Sequence, residues 1–204
     1  MYQPAHFRED RIGILRQLVQ QHPLATLVTL GPDGLLANHI PLLWDPDPAP
    51  YGTLRGHVAR ANSQWRESRS DVSALAIFLG PSAYISPSWY AAKQEHGRVV
   101  PTYNYAVVHA EGPLVTFEDP ERLGAVVSAL TDAQESGFAQ PWSASDAPPN
   151  FIEGMLRAIV GIEIPIARLE GKWKVSQNRD AADRAKVSAG LREMATLVDP
   201  VSEG

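Results

Sequence analysis

Four stretches of this sequence combine hydroxyl, amide and cationic side chains with aromatic ones. They are HVARANSQW at 57–65, YISPSWY at 84–90, VPTYNY at 100–105 and GKWKVSQN at 171–178. Aromatic and apolar walls bind a flat ring, amides and hydroxyls bind a polyol chain, and Arg or Lys side chains bind a phosphate group. The four stretches therefore predict a site for a ligand that carries all three of these parts.

The two lysines of the last stretch have a spacing that suits an anion. In an extended strand, Lys172 and Lys174 lie on one face and Trp173 on the other. The same alternation puts Thr102 and Asn104 on one face, and Ser86 and Ser88 on one face if their segment is extended. A lysine pair of this kind is either an anion clamp or an exposed strand edge whose charges prevent aggregation. Spacing alone leaves both interpretations open.

The sequence gives no support to self-contained catalysis. The chain has no cysteine, which excludes disulfides, thiolate catalysis and cysteine-ligated metal sites. His109 and Glu111 have the HxE spacing of zinc deaminases, but the PCxxC partner of that motif is missing. No phosphate-binding glycine loop and no nucleophile-elbow motif is present. We predict no catalytic residue and no metal site.

The predicted elements are those of one barrel-based domain covering residues 1–204. Many short apolar or alternating segments read as strands, and four segments read as helices, at Arg8–Gln21, from Pro120 to near Gly137, Asn150–Ile159 and Ala181–Met194. Residues 190–204 are expected to include a frayed tail. Neither a signal-peptide core nor a membrane-spanning run occurs, so a cytoplasmic location without a membrane partner is expected.

Taken together, the same stretches resemble one known family. The matching segments are MYQPAHF, ATLVT with ANHIPL, GHVARANSQW, FLGPSAYISPSWY, VPTYNYAVVHAEG, VGIEI and LEGKWKVSQNR, in this order along nearly the whole chain. They are similar to the PaiB-type FMN-binding proteins, called negative transcriptional regulators, a branch of the pyridoxamine phosphate oxidase-like split barrels. The resemblance implies a mainly β fold with flanking helices, a split β-barrel that binds FMN at the interface of a homodimer.

The resemblance also implies which residues contact the cofactor. Backbone groups of the first hairpin strand would line the flavin, its partner strand would lie near the ring, and the other polar stretches would hold the ribityl chain and the phosphate. The implied residues are Thr26, Leu27, Val28, Thr29, Asn38, His39, His57, Arg60, Asn62, Gln64, Ser86, Ser88, Lys172, Lys174, Ser176 and Gln177. Tyr103 stands where many relatives have tryptophan.

Several of these residues have a plain structural alternative. Arg60 could be a surface charge, and His39 and His57 could be hydrogen-bonded structural histidines. Trp89 and Trp173 suit core or dimer packing as well as they suit flavin contact. If Arg60 and Lys174 form one phosphate clamp, replacing both by alanine should weaken FMN retention and leave the dimer folded.

Three functions follow from the resemblance. The first is a flavin-dependent transcriptional regulator, and the second is an FMN-dependent oxidoreductase that uses a nicotinamide donor. The third is a dimeric scaffold that has lost its cofactor. DNA is a candidate partner without a recognisable binding motif, because the net charge is −5 and acidic residues interrupt the basic ones of the last predicted helix.

Overall fold

The structure is a computed structural model that describes residues 1–198, with side chains described up to residue 193. Ten strands form two antiparallel sheets. The strands are β1 (Arg8–Glu9), β2 (Leu24–Gly31), β3 (Gly34–Pro41), β4 (Leu43–Asp45), β5 (Thr53–Ala59), β6 (Ala74–Ile85), β7 (Thr102–Gly112), β8 (Val115–Phe117), β9 (Ile159–Pro165) and β10 (Arg168–Lys174). The helices are α1 (Ile12–Gln21), α2 (Gln64–Glu67), α3 (Ala92–Glu95), α4 (Pro120–Glu135), α5 (Pro149–Arg157) and α6 (Ala181–Val198).

The two sheets enclose one apolar core. The larger sheet has the order β1-β10-β7-β6-β2-β3, and the smaller one has the order β4-β5-β9-β8. Alternate residues of the strands point inward, so that Leu27 and Phe78 of the larger sheet share the core with Leu54 and Ile162 of the smaller one. This architecture confirms the predicted mainly β fold with flanking helices.

The first helix is shorter than its sequence pattern predicts. It begins at Ile12 because Arg8 and Glu9 instead pair with Lys172 and Gly171 as β1. The Glu9 carboxylate accepts a hydrogen bond of 2.9 Å from the backbone N–H of Arg11, at the start of the helix. The first residues of the chain are thereby fixed along β10.

Helices α4 and α5 cover the outer face of the smaller sheet. Leu123, Val126 and Leu130 of α4 form a buried cluster with Phe117, whose ring occupies the space beside Gly161 of β9. The Asp119 side chain accepts a hydrogen bond of 2.8 Å from the N–H of Arg122, so this helix begins as the sequence predicts. One face of each sheet is thus buried in the barrel, and the second face of the smaller sheet is covered as well.

The last helix extends past its predicted end. Helix α6 continues to Val198 and contacts the 3-10 turn at Pro87–Trp89. Residues 190–198 of the expected tail are therefore helical, and residues 199–204 lie outside the described residues. No helix within residues 1–198 combines the length and apolarity that a membrane crossing requires.

Candidate functional site

The two lysines of β10 lie on the outward face of the larger sheet, as their spacing predicts. Lys172 pairs with Val107 and Lys174 with Tyr105, while Trp173 between them packs against the core. The Lys174 ammonium donates hydrogen bonds to the Thr102 hydroxyl and, over 2.6 Å, to a backbone carbonyl of β7. The alternation of the strand therefore places both lysines on one face, where Lys172 is buried beside Tyr2 and Lys174 is partly exposed.

These charges are not neutralised by acidic side chains. The Lys172 ammonium donates a hydrogen bond of 3.0 Å to the carbonyl oxygen of Tyr2, and it lies 5.4 Å from the centre of the Tyr105 ring. Neither lysine forms an ion pair among residues 1–193. Burial lowers the pKa of the Lys174 ammonium, and the positive charges of Lys172 and Arg179 lower it further. An anion bound here would relieve that repulsion.

Ser176 and Gln177 form the turn that follows β10. Ser176 has a φ of 63°, in the left-handed region, and its buried hydroxyl exchanges hydrogen bonds of 3.0 and 3.1 Å with the Asn104 amide. The Gln177 side chain accepts a hydrogen bond of 2.8 Å from the N–H of Val175 and donates one to the carbonyl of Trp173. Both side chains therefore hold the turn that sets the position of the strand end.

Ser86 and Ser88 do not lie together in an extended strand. The shared face that an extended segment would give them is therefore not formed. Residues Pro87–Trp89 form a 3-10 turn, and the Ser86 hydroxyl accepts 3.2 Å from the N–H of Ser88. Pro87 is the first residue of this turn, where its fixed φ is favourable. Trp89 packs against Gly190 of α6, which supports the interpretation of Trp89 as a packing residue.

The first hairpin divides its predicted residues between two faces. Thr26 and Val28 point outward, and the Thr26 hydroxyl lies 3.1 Å from Nδ1 of the exposed His39. Leu27 and Thr29 point inward and are buried. Only the outward set can contact a ligand on the sheet surface through side chains.

Asn38 and Gln64 belong to a buried network at one end of the barrel. Gln64 is 2% exposed, accepts 2.8 Å from the Asn38 amide, and donates to the Thr29 hydroxyl and the Leu27 carbonyl. Asn62 accepts 3.0 Å from the N–H of Gln64. These amides already have internal partners, and their role toward a cofactor stays a prediction.

His57 lies on β5 of the smaller sheet and Arg60 directly follows that strand, whereas the two lysines lie on β10 of the larger sheet. His57 pairs with Gly161, and its Nδ1 is buried without a hydrogen-bond partner among residues 1–193. Burial lowers the pKa of this imidazole. The Arg60 guanidinium donates hydrogen bonds to the carbonyl of Arg157, over 2.8 Å, and to the carbonyl of Ile159, over 3.0 Å. It also forms an ion pair with Glu118. Within one chain, Arg60 and Lys174 line different cavities. A joint phosphate clamp of these two residues is not formed in the single chain.

The outward face of β2, β3 and β6 is largely apolar, and no element within residues 1–193 covers it. Leu24 is 62% exposed, Leu35 is 77% exposed and Leu79 is 57% exposed. We call this surface the open face; it also includes Val28, Leu30, Ala37, Leu75 and Ile77. Monomeric proteins rarely leave such a contiguous apolar surface in water, which marks it as a contact surface.

Three tyrosines and the lysines follow the open face on β6, β7 and β10. Tyr84 pairs with Tyr103, and their ring centres are 5.7 Å apart at an angle of 71°. Tyr105 lies next along β7, beside Lys174. Of these residues, our sequence prediction did not include Tyr84 and Tyr105. The apolar run at 74–79 was the available signal for the open face, because a strand with apolar residues at both parities has two apolar faces.

Comparison with known families assigns the chain. Residues 1–168 match a family model described as "Putative FMN-binding domain". The chain belongs to this FMN-binding family. The match covers most of the chain and includes the open face, and it ends at Arg168, before the two lysines. FMN is therefore the cofactor of the family to which the chain belongs, which confirms the cofactor prediction.

Two full-length relatives support the same assignment. The chain is 32% identical over 192 residues to the protease synthase and sporulation protein PAI 2 of Bacillus subtilis, covering 94% of this chain and 89% of that one. It is also 32% identical over 231 residues to an uncharacterized protein of Emericella nidulans, covering 96% and 92%. The PaiB-type resemblance is thus confirmed over almost the whole chain.

Solved structures confirm the fold. The FAD and heme binding protein of Mycobacterium smegmatis superposes with a TM-score of 0.60 at 15% identity, over 90% of this chain and 80% of that one. At this identity the likeness shows the architecture alone, which is the predicted split β-barrel.

Proposed function

We propose that this FMN-binding family member is a homodimeric regulatory protein whose flavin lies between two copies of the open face. The observation that carries the proposal is the contrast between the two sheets. Helices cover the outer face of the smaller sheet, whereas large leucines of the larger sheet remain in water. A second copy of the chain would bury them, and apolar burial is the main favourable contribution to association.

The residues around the open face fit the parts of FMN. Apolar side chains and the tyrosine pair supply walls for the ring, and the Thr26–His39 pair supplies polar groups within reach of it. Lys172 and Lys174 supply donors for the phosphate. When bound, FMN supplies a redox-active ring. The chain's own residues would position that ring and exclude water from it.

A regulatory role is favoured over an enzymatic one. The Bacillus subtilis relative is named for protease synthase and sporulation, which are cellular processes and not a chemical reaction. A redox-dependent change in flavin binding could shift the dimer between two states and so transmit a signal.

Flavin retention tests the cofactor site. We expect Lys174→Ala to reduce the FMN content of purified protein by about tenfold, because a charge-assisted hydrogen bond to phosphate contributes roughly 1.5–3 kcal/mol. Lys186→Ala, at an exposed position of α6, is the matched control and should keep its flavin. Equal flavin content in the two variants would contradict a role of Lys174 in phosphate binding.

A second experiment separates regulator from enzyme. The flavin-loaded protein is tested for sequence-selective DNA binding at moderate salt, with FMN oxidised and reduced, since non-specific binding disappears as salt rises. Selective binding that depends on the flavin supports regulation through DNA. Rapid reduction of the flavin by a nicotinamide donor, with turnover of a small substrate, would instead identify an oxidoreductase.

A further inference from the structure

A small cavity of about 120 Å³ lies where the end of β10 meets the start of β7 and the turn before α6. Its lining includes Tyr90, Thr102, Lys174, Asn178 and Arg179. A water molecule occupies about 30 Å³ in the liquid, and sites for drug-sized ligands measure roughly 300–1,000 Å³. The cavity therefore has room for a tetrahedral oxyanion and is too small for an aromatic ring system.

Tyr90 brings a buried hydroxyl group that lacks a partner. The residue is 1% exposed, and its hydroxyl has no hydrogen-bond partner among the described residues. Buried polar groups are almost always paired, because an unpaired one costs about 1–3 kcal/mol. An unpaired hydroxyl on a residue that lines a cavity indicates a ligand that would form the missing hydrogen bond.

Two cations line the same cavity as Tyr90. The Arg179 guanidinium lies 4.6 Å from the centre of the Tyr90 ring, and the Lys174 ammonium is close enough for the charge of Arg179 to lower its pKa. Neither cation has a carboxylate partner in the part of the chain whose side chains are described. Two unneutralised cations and a free hydroxyl donor form the donor set that binds phosphate or sulfate.

We propose that this cavity, which we call the oxyanion pocket, binds a phosphate group through Tyr90, Lys174 and Arg179. Two sources share this chemistry, free inorganic phosphate and the phosphate group of FMN. The pocket lies within one chain and shares Lys174 with the implied FMN contacts, whereas Tyr90 and Arg179 lie outside them. It can therefore be tested without relying on the proposed dimer or on the regulatory role.

Binding of inorganic phosphate to the flavin-free protein is measured by titration calorimetry. We expect Tyr90→Phe and Arg179→Gln each to raise the dissociation constant about tenfold, since each removes one donor and keeps most of the packing. Tyr51→Phe and Arg192→Gln, at sites outside the pocket, are the matched controls and should bind as the wild type does. Circular dichroism and thermal unfolding verify that all four variants are folded.

The source of the phosphate is resolved by repeating the titration in the presence of flavin. If FMN displaces phosphate and riboflavin does not, the pocket holds the phosphate end of the cofactor. If phosphate still binds to the FMN-loaded protein, the pocket holds a separate anion; either result supports the oxyanion pocket. The absence of phosphate binding in the flavin-free wild type, or unchanged binding in both pocket variants, overturns it. Loss of the dimer with intact phosphate binding would count against the proposed function alone.

Discussion

His57 shows how a single buried side chain makes stability depend on pH. Its Nδ1 is buried and has no hydrogen-bond partner in the part of the chain whose side chains are described, and burial lowers the pKa of the ring below the ordinary value of 6.5. The folded chain therefore keeps the ring neutral where the unfolded chain already binds a proton. Because proton binding is linked to folding, the contribution of His57 to stability is complete above pH 6.5 and decreases as the pH falls below that value.

We expect His57→Gln to reduce this loss of stability in acid. Thermal unfolding is measured near neutral pH and about one pH unit below 6.5, and the decrease in midpoint should be smaller than in the wild type. Some loss remains, because burial also lowers the pKa of His109. The exposed-site control His6→Gln should keep the wild-type decrease. An identical decrease in all three proteins would mean that His57 is not the titrating group.

The polar residues differ in how far the sequence could predict them. Lys172 and Lys174 were placed correctly because strand alternation is a local rule. The partners of Arg60 could not be foreseen, since Glu118 and the carbonyls of Arg157 and Ile159 lie 58 to 99 residues away in the chain. Tertiary contacts of this kind leave no local pattern.

At the scale of elements, the contact of α6 with the turn at Pro87–Trp89 depends on a missing side chain. A Cβ at Gly190 would lie 2.5 Å from atoms of the Trp89 ring, closer than such contacts occur. Gly13 in α1 is the matched helical glycine, because no other described part of the chain lies within 4 Å of its Cβ position. The same substitution should therefore have opposite effects at the two sites.

We expect Gly190→Ala to lower the free energy of unfolding by about 1–3 kcal/mol through overpacking. Gly13→Ala should raise it by up to about 1 kcal/mol, because alanine has the higher helix propensity. Urea unfolding of both variants measures the two changes. If both variants are stabilised alike, α6 does not pack as closely on Trp89 as the structure indicates.

Element types were more predictable than their ends. The hairpin of β2 and β3 and the start of α4 follow from turn and capping residues that act locally. The start of α1 was placed too early because Arg8 and Glu9 pair with residues near the far end of the chain. The sequence did not decide whether the Ser86–Ser88 segment is extended or bent. In the structure, the 3-10 turn that begins at Pro87 makes it bent.

For the whole molecule, the open face predicts how assembly can be disrupted. We expect Leu79→Glu to weaken the dimer by about a hundredfold or more, because a carboxylate would be buried without a partner in an apolar contact. Folding of the single chain should be little affected, since Leu79 is 57% exposed there. Sedimentation velocity measures the mass, and flavin absorbance measures the cofactor in the same run.

Phe138→Glu provides the control for this substitution. Phe138 is 65% exposed, similar to Leu79, and it follows α4, the helix that packs on the smaller sheet. This variant should remain dimeric and keep its flavin. A Leu79→Glu protein that is still dimeric would exclude the open face as the contact surface.

The unequal covering of the two sheets has a consequence for how the cofactor is kept. If the walls around the flavin come from two chains, each chain alone offers only half of them. Cofactor loading then follows the law of mass action for pairs of chains. Diluting a yellow solution below the dissociation constant of the pair would release the pigment while every polypeptide stays folded, and concentrating it again with FMN would restore the colour.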